Sequence, residues 1–211
     1  SAGVAVNENA AQATSIDSDL WTVNIDNSGD AAALDSTKTG GVLKMTNGDT
    51  AGDEVSIAAL GAGFACDAAS ARKIWFECRI NLDDISGTGF FVGLASNNGG
   101  EEVTIIDSAE DALGFIMTTG ASPDIKSIGA TGNTETQTDT GVDAVDQTWI
   151  VLSYYFDGTT AHFYVNGDLK VSTTSNLPVD GTILFPSIEF TSVGTDSDVN
   201  YIDYVRCCME R

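Results

Sequence analysis

The stretch that decides the fold reads Trp149-Ile-Val-Leu-Ser-Tyr-Tyr-Phe156, Asp157-Gly-Thr-Thr160 and Ala161-His-Phe-Tyr-Val-Asn-Gly-Asp-Leu-Lys-Val171. Two short turns, each containing an Asx-Gly pair, separate three runs of β-branched and aromatic residues. An Asx-Gly pair between such runs is the strongest short-range signal of a β-hairpin, because both residues tolerate a positive φ. The stretch therefore predicts a three-stranded antiparallel meander.

The same residues predict how the last two strands of the meander pair. Residues opposite each other on paired strands point to the same face of the sheet. A two-residue turn at Asn166-Gly167 would place Phe163 opposite Lys170. A turn that begins one residue earlier instead pairs Phe163 with Leu169 and gives Gly167 the positive φ of a type I turn with a bulge. We therefore expect the bulged, three-residue turn.

That register gives the meander two faces of different character. The apolar face consists of Ile150, Leu152, Tyr154, Phe156, Ala161, Phe163, Leu169 and Val171. The opposite face consists of Trp149, Val151, Ser153, Tyr155, His162, Tyr164, Asp168 and Lys170.

Four residues of the second face are candidates for contact with a partner or a glycan: Trp149, Tyr155, His162 and Tyr164. Such side chains can stack on sugar rings, but they can equally form the inner layer beneath a second sheet, where aromatic strands are common. We favour packing or a subunit contact over a sugar site. His162 by itself is expected to be an ordinary sheet-surface residue.

The charge of the chain limits its partners. Nine Lys and Arg residues against 31 Asp and Glu residues give a net charge of −22. Nucleic-acid binding requires basic patches, so it is not expected. An acidic surface favours solubility and repels anionic surfaces. No apolar run approaches the ~20 residues of a membrane-spanning helix, so no membrane partner is expected either.

Metal and cysteine chemistry leave weak signals. The segment Asp26-Asn-Ser-Gly-Asp30 departs from the Asp-x-Asp/Asn-x-Asp/Asn-Gly calcium loop, because it lacks the Gly at the sixth position and the terminal Glu. We therefore expect no cofactor, with calcium as the alternative. One histidine and no Cys-x-x-Cys pair fit no zinc pattern. We expect Cys66, Cys78, Cys207 and Cys208 to be free thiols, with a bridge from Cys78 to one of the last two as the alternative.

Alternating patterns along the chain predict about a dozen strands. Residues 1–19 are small and polar and are interpreted as an extended N-terminal arm, followed by a single domain over residues 20–211. Residues 61–71 are expected to form a loop or one short helix, and residues 118–147 a surface excursion that contains only weak strands such as Ile125–Ile128. Pro186 predicts an edge position or a bulge for its strand. Many short strands at this spacing indicate an all-β, two-sheet antiparallel β-sandwich or a barrel.

A family resemblance adds to this interpretation. Phe156-Asp-Gly-Thr-Thr-Ala-His-Phe-Tyr-Val-Asn-Gly-Asp168 resembles the Tyr-Asp-Gly…Tyr-Val-Asn-Gly meander of concanavalin A-like, laminin-G-like jelly rolls. Ile74-Trp-Phe-Glu-Cys-Arg-Ile80 and Gly89-Phe-Phe-Val-Gly-Leu-Ala95 are similar to strands in tailed-phage virion proteins of this fold. The resemblance covers residues 20 to 206. It implies two stacked antiparallel sheets, with partners at the concave face and the loop rims.

The resemblance also implies a function. It indicates a non-enzymatic virion structural protein, a capsid decoration or cement protein of a tailed bacteriophage, assembled in the cytoplasm of the host bacterium. The implied partners are the major capsid protein and further copies of the chain, as a trimer or dimer. The alternative is a carbohydrate-binding, lectin-like module on a tail fibre or on a secreted bacterial protein.

Catalytic patterns are missing. Several relatives hydrolyse polysaccharides with paired carboxylates in a Glu-x-Asp-x-x-Glu strand, whereas Glu77 is followed by Arg79 and Glu189 lies in no such pattern. A glycosidase needs two carboxylates ~5–9.5 Å apart. A Ser-His-Asp hydrolase would have to use His162, and no Gly-x-Ser-x-Gly elbow is present. We therefore expect no enzymatic activity.

Overall fold

The computed structural model describes residues 13–14, 21–25, 29–59, 63–66, 72–96, 111–118, 123–132, 134–178, 181–195 and 197–210. The regular elements in these ranges are all β-strands. They are β1 (Ala13–Thr14), β2 (Trp21–Ile25), β3 (Ala31–Leu34), β4 (Leu43–Thr46), β5 (Glu54–Ala59), β6 (Phe64–Cys66), β7 (Ile74–Asn81), β8 (Thr88–Ala95), β9 (Ala112–Met117), β10 (Asp124–Thr131), β11 (Thr134–Asp143), β12 (Trp149–Phe156), β13 (Ala161–Val165), β14 (Asp168–Thr173), β15 (Thr182–Ser192) and β16 (Val199–Met209).

The strands form two large sheets. The meander sheet has the order β1-β3-β4-β16-β7-β12-β13-β14, and the second sheet has the order β11-β10-β9-β8-β15-β5-β2, with β6 paired to β15. Every pair is antiparallel except β1 with β3. The expected two-sheet antiparallel β-sandwich is therefore confirmed.

Aromatic contacts join the two sheets through their inner faces. Phe115 of the second sheet meets Phe163 of the meander sheet edge to face, with ring centroids 5.3 Å apart. Tyr154 stacks on its neighbour Phe76 at 5.3 Å. The alternation expected for β7 holds, because its even-numbered residues are buried in this core. Both Phe90 and Phe91 of β8 are fully buried, as expected of a strand apolar on both faces.

The meander forms as expected, but its last turn has two residues rather than the expected three. Asn166 and Gly167 make a two-residue turn with φ of 52° and 85°, and Leu169 pairs with Tyr164. Phe163 lies opposite Val171, because the register skips Lys170 and the bulge lies within β14. The prediction of a three-residue turn is therefore wrong. Two residues with positive φ match the twist of a hairpin, and the later bulge returns β14 to the core register.

One predicted core residue changes sides as a result. Leu169 has 55% of its surface exposed, so its assignment to the apolar face is wrong. The other seven residues of that face are buried: Ile150, Leu152, Tyr154, Phe156, Ala161, Phe163 and Val171.

Two segments with little predicted structure contain more strands than expected, although the weak strand expected at Ile125–Ile128 does lie within β10. Residues 118–147 hold β10 and β11, which form a hairpin at the edge of the second sheet, and Ile125 and Ile128 are buried. Within residues 61–71, Phe64–Cys66 forms β6. The predictions of a surface excursion and of a loop or helix are wrong there, because β10 is buried by its neighbours in the sheet rather than by its own weak apolar pattern.

Pro186 lies in an interior strand rather than at an edge. β15 pairs with β8 on one side, where Pro186 lies opposite Leu94. On its other side β15 pairs with β6 up to Leu184 and with β5 from Ser187 onward. The proline thus falls where the neighbouring strand changes, so its missing N–H disrupts no continuous ladder.

The remaining expectations are tested only in part. The predicted N-terminal arm lies outside the described residues except for Ala13–Thr14, whose backbone pairs with β3. The four cysteines are free, with Cys66 and Cys78 buried and Cys208 exposed. No helix in the described ranges is long and apolar enough to cross a membrane.

Candidate functional site

The outer face of the meander sheet carries rows of side chains that run across β16, β7, β12 and β13. Trp75 lies opposite Tyr155, which lies opposite His162. In the next row, Glu77 lies opposite Ser153, which lies opposite Tyr164. Because opposed residues share a face, distant parts of the chain meet here.

A groove opens along the second of these rows. It has a volume of about 540 Å³ and is lined by Trp75, Glu77, Val151, Ser153, Tyr164, Asn166 and Gly167. The Ser153 side chain lies between those of Glu77 and Tyr164. Because Ser153 is smaller than both, the surface is lower at this point and forms the groove. The floor is therefore polar in the middle and aromatic at one side.

Aromatic rings form the wall of the groove. The ring centroid of Trp75 lies 6.0 Å from that of Tyr164 and 6.3 Å from that of Tyr155, with tilts of 40° and 42°. All three side chains are partly exposed. Rings held in this way by their neighbours offer flat apolar surface at little entropic cost.

Glu77 places a negative charge in the groove. Its Oε1 accepts a hydrogen bond from Tyr204 Oη at 3.0 Å and lies 3.6 Å from Arg206 Nη1. The side chain of Glu77 is 22% exposed. Burial, and then the hydrogen bond to Glu77, raise the pKa of Tyr204 above its ordinary value. Glu77 is thus held in place while one side stays open to a ligand.

The edge of the aromatic wall is tied to the first turn of the meander. The His162 ring stacks on Tyr155 at 6.2 Å, and its Nδ1 lies 2.9 Å from Ser172 Oγ. Its Nε2 lies 3.9 Å from Asp157 Oδ2. Hydrogen bonds from Thr160 and Thr159 to the carboxylate lower the pKa of Asp157. These contacts orient the rings and leave the histidine accessible at the sheet surface.

The structure brings together three of the four residues predicted from sequence. Tyr164 lines the groove, Tyr155 contacts Trp75, and His162 stacks behind Tyr155. Trp149 lies apart, beneath Arg79, whose Cζ is 4.6 Å from the ring centroid.

The interpretation of this face as an inner layer is wrong. The two sheets pack through their opposite faces, and in the described part of the chain the rings of Trp149, Tyr155 and Tyr164 stay partly exposed. A subunit contact or a ligand site remain as explanations.

Sequence reasoning missed the half of the groove that β7 provides. The alternation of Lys73–Leu82 already placed Trp75 and Glu77 on the side opposite the core. The alternation could not show which strand lies beside β7, because the pairing of Ser153 with Glu77 joins segments that are distant in the sequence. Asn166 was also missed, since its side chain turns back to accept a hydrogen bond from Val151 N at 2.9 Å.

Metal-binding side chains do not gather at the groove. In the described ranges, no group of three or more His, Cys, Asp or Glu side chains could hold a metal ion. Residues 26–28 of the candidate calcium segment lie outside the described residues, and Asp30 is buried.

Comparison with solved structures identifies the class of fold. The catalytic domain of an endo-1,3-beta-glucanase (laminarinase) from Thermotoga petrophila matches with a TM-score of 0.64 and 16% identity over 92% of each chain. A Bacteroides ovatus GH16 protein of a mixed-linkage glucan PUL matches with a TM-score of 0.63 and 13% identity, over 92% of this chain and 96% of that one. The Bacillus licheniformis β-glucanase matches with a TM-score of 0.59 and 11% identity, over 93% and 95%.

The chain thus has the concanavalin A-like jelly-roll fold. Within that class, its structure resembles those of GH16 glucanases, at identities that establish the fold alone. No family model matches the chain, and no curated protein matches its sequence. These likenesses give no support to the predicted capsid decoration role.

Proposed function

We propose that the protein is a non-catalytic carbohydrate-binding module that holds a neutral polysaccharide in the groove on the outer face of the meander sheet. The observation that carries this proposal is the groove itself, which combines Trp75 and Tyr164 with the polar groups of Glu77, Ser153 and Asn166. Sugar rings present an apolar face and a rim of hydroxyl groups, so they need an aromatic surface beside hydrogen-bonding groups.

Charge favours neutral glycans over anionic ones. Glu77 lies in the groove, and the chain has a net charge of −22. Two nearby cations already have acidic partners: Arg206 lies 3.6 Å from Glu77, and Arg79 donates to Asp203 at 2.7 Å. A sulfated or uronic-acid polysaccharide would meet repulsion that is not offset. The likeness to glucan-active proteins makes neutral glucans the first class to test.

The composition of the groove favours binding without hydrolysis. Hydrolysis by the usual mechanisms needs two carboxyl groups roughly 5 to 9.5 Å apart. Among the described residues that line the groove, Glu77 is the one carboxylate. Its contacts with Tyr204 and Arg206 suit a fixed hydrogen-bond acceptor.

The test is a binding and hydrolysis experiment on the full chain. Affinity electrophoresis and calorimetry with a β-1,3-glucan, a mixed-linkage β-glucan and a uronic-acid polysaccharide should give binding to at least one neutral glucan and none to the acidic one. Reducing-sugar release should equal that of buffer. A lack of binding across a broad array of neutral glycans would reject the proposal. Sustained sugar release that is lost in Glu77→Gln would replace it by a glycosidase.

The virion location, the major capsid protein as partner and the trimer or dimer stay predictions of the sequence resemblance. No contact or surface described above favours them over carbohydrate binding.

A further inference from the structure

The groove on the outer face of the meander sheet runs across the strands rather than along them. Its floor is the row Glu77, Ser153 and Tyr164, which come from the neighbouring strands β7, β12 and β13. Neighbouring strands lie about 4.8 Å apart, so the floor is about 10 Å long. A pyranose unit of a linear glucan is about as long as one strand spacing, so the floor takes about two to three sugar units.

The aromatic wall follows the groove over the same distance. Trp75 and Tyr164 belong to strands that are separated by β12, so their backbones lie about 10 Å or more apart. Their ring centroids are 6.0 Å apart, so the two side chains lean toward each other across β12. The wall is therefore continuous from β7 to β13, and a glycan that follows it runs across the strands.

A cluster of three side chains closes the groove at the β7 end. Arg206 of β16 lies opposite Glu77, and its Nη1 is 3.6 Å from Glu77 Oε1. Its Cζ lies 4.5 Å from the centroid of the Tyr204 ring, and Tyr204 Oη donates to Glu77 Oε1 at 3.0 Å. Whereas Ser153 keeps the floor low, the row therefore ends in a large side chain that is fixed to its neighbours.

This closed end has the groups that recognise the terminal unit of a glycan. A terminal sugar has a free hydroxyl where an internal sugar has a glycosidic bond, and a hydroxyl both donates and accepts hydrogen bonds. The two contacts of Glu77 use Oε1, so Oε2 is left to accept from a ligand, and the Arg206 guanidinium beside it can donate. In the described part of the chain no strand continues the row beyond Arg206, since β4 pairs with β16 only from Val199 to Ile202.

The opposite end of the groove, at β13 and β14, is open. Gly167 lines the groove there, and a Cβ added to it would have no heavy atom within 4 Å. Leu169 of the edge strand β14 lies opposite Tyr164, so it continues the row on the outer face, where 55% of its surface is exposed. This end therefore offers free space and an apolar surface beyond the floor.

We propose that the groove binds the end of a neutral glycan chain rather than an internal stretch. The terminal sugar lies against Glu77 and Arg206, and the rest of the chain leaves over Leu169. An internal stretch would have to continue through the position of Arg206, whereas a chain end stops there. The proposal rests on the proposed function, because it concerns the same groove.

The test uses the full chain and linear probes of increasing length, from disaccharides to long polysaccharides, of β-1,3-glucan and of mixed-linkage β-glucan. Calorimetry should give an affinity per glycan chain that rises up to about three sugar units, which fill the floor, and then stays level. A long glucan should bind a single copy of the protein per chain, and partial hydrolysis of that glucan should raise the binding capacity per gram in proportion to the number of chain ends. Borohydride alters only the reducing end, so binding that is lost after reduction assigns the site to that end and binding that is kept assigns it to the other.

Arg206→Ala tests the closed end. The arginine side chain is 70% exposed, so its surface ion pair contributes little to folding. The variant should bind several copies per long glucan, with an affinity per chain that keeps rising with length. Arg79→Ala is the matched control, because Arg79 lies over Trp149 in the same sheet and does not line the groove. It should keep the length dependence of the wild type.

Leu169→Ala tests the open end. It should weaken binding of chains longer than the floor by about fivefold and leave the binding of disaccharides unchanged. A wild-type capacity that follows the total length of the glucan rather than the number of chain ends would overturn the proposal and leave carbohydrate binding intact. The same length dependence in Arg206→Ala as in the wild type would also overturn it. No binding at any length would reject the proposed function itself.

Discussion

Trp75 of β7 and Tyr155 of β12 lie directly opposite each other on the outer face of the meander sheet, with ring centroids 6.3 Å apart. Tyr164 of β13 completes the group, 6.0 Å from Trp75. The aromatic wall of the groove therefore depends on the register of three strands rather than on one motif. A change of register by one residue would send these rings into the core and the core residues into solvent.

The first prediction concerns the contribution of this wall to binding. Trp75→Ala should weaken binding of a neutral glucan by at least about 2 kcal/mol, which is about 30-fold in Kd, because aromatic anchors dominate such surfaces. Calorimetry on the full chain measures the change. The Tm should fall little, since Trp75 is partly exposed.

Tyr201→Ala is the matched control for Trp75→Ala. Tyr201 lies in the same sheet, beneath Lys38 Nζ at 4.1 Å, and does not line the groove. Its replacement should leave the Kd unchanged. Equal losses in the two variants would show that the binding surface lies elsewhere.

The meander shows how much of the fold could be predicted from the sequence. Its strands, its two faces and the positive φ of Gly167 follow from local pattern alone. The misplacement of Leu169 arose because a pattern shows that a bulge is needed but not where it lies. Asn166 and Gly167 both adopt positive φ, so the turn takes its preferred two-residue form and the bulge falls at Lys170.

The groove could not be predicted in the same way. Glu77, Ser153 and Tyr164 come together through long-range pairing, which local periodicity does not encode. Sequence alternation assigns residues to a face, whereas a site requires knowledge of which strands are neighbours.

A second prediction concerns the close approach of β8 and β9. Gly93 lies opposite Gly114, and a Cβ added at Gly114 would lie 2.9 Å from Gly93 Cα and 3.1 Å from the carbonyl carbon of Val92. These are backbone atoms in the middle of a sheet, so they cannot move aside cheaply. Gly114→Ala should lower the free energy of unfolding by about 2 to 3 kcal/mol, and the Tm by roughly 4 to 12 °C.

Gly141→Ala tests whether a steric clash is the cause. Gly141 has a φ of 68°, but a Cβ added there would have no heavy atom within 4 Å. Its replacement should cost only the conformational strain, about 1 kcal/mol. A Gly114→Ala protein as stable as wild type would mean that β8 and β9 separate more readily than their spacing indicates.

A third prediction follows from a buried hydroxyl in the core. Tyr154 is fully buried between Phe76 and Phe163, and its Oη has no hydrogen-bond partner in the described part of the chain. Tyr154→Phe keeps the ring and removes the unsatisfied group, so it should raise the free energy of unfolding by about 1 kcal/mol. Denaturant unfolding with an unchanged m-value measures this.

The opposite change in the free energy of unfolding is expected when Tyr204 is replaced by phenylalanine. Its hydroxyl donates to Glu77 at 3.0 Å, so Tyr204→Phe should lower stability by about 1 kcal/mol. The same chemical change thus has two signs, set by the presence of a partner. A loss of stability in Tyr154→Phe would indicate that an ordered water binds the hydroxyl.

The fourth prediction uses the cysteines to test the packing of β6 and β16 against the core. Burial, and then the charge of Asp111, raise the pKa of Cys66 to about 12. Burial also raises the pKa values of Cys78 and Cys207. The thiolate is the reactive form, so a raised pKa leaves little of it at pH 8. Cys208 is exposed on the outer face, opposite Trp75.

An aromatic disulfide reagent at pH 8 should therefore modify one thiol per folded chain quickly and the other three roughly a thousandfold more slowly. Cys208→Ser should remove the fast phase, and all four thiols of the wild type should react at once in denaturant. The slow reaction rates should rise steeply with pH, because the buried thiols ionise only at a pH well above 8. Two fast thiols would mean that the end of β16 detaches from β7, whereas fewer than four thiols in denaturant would reveal a disulfide.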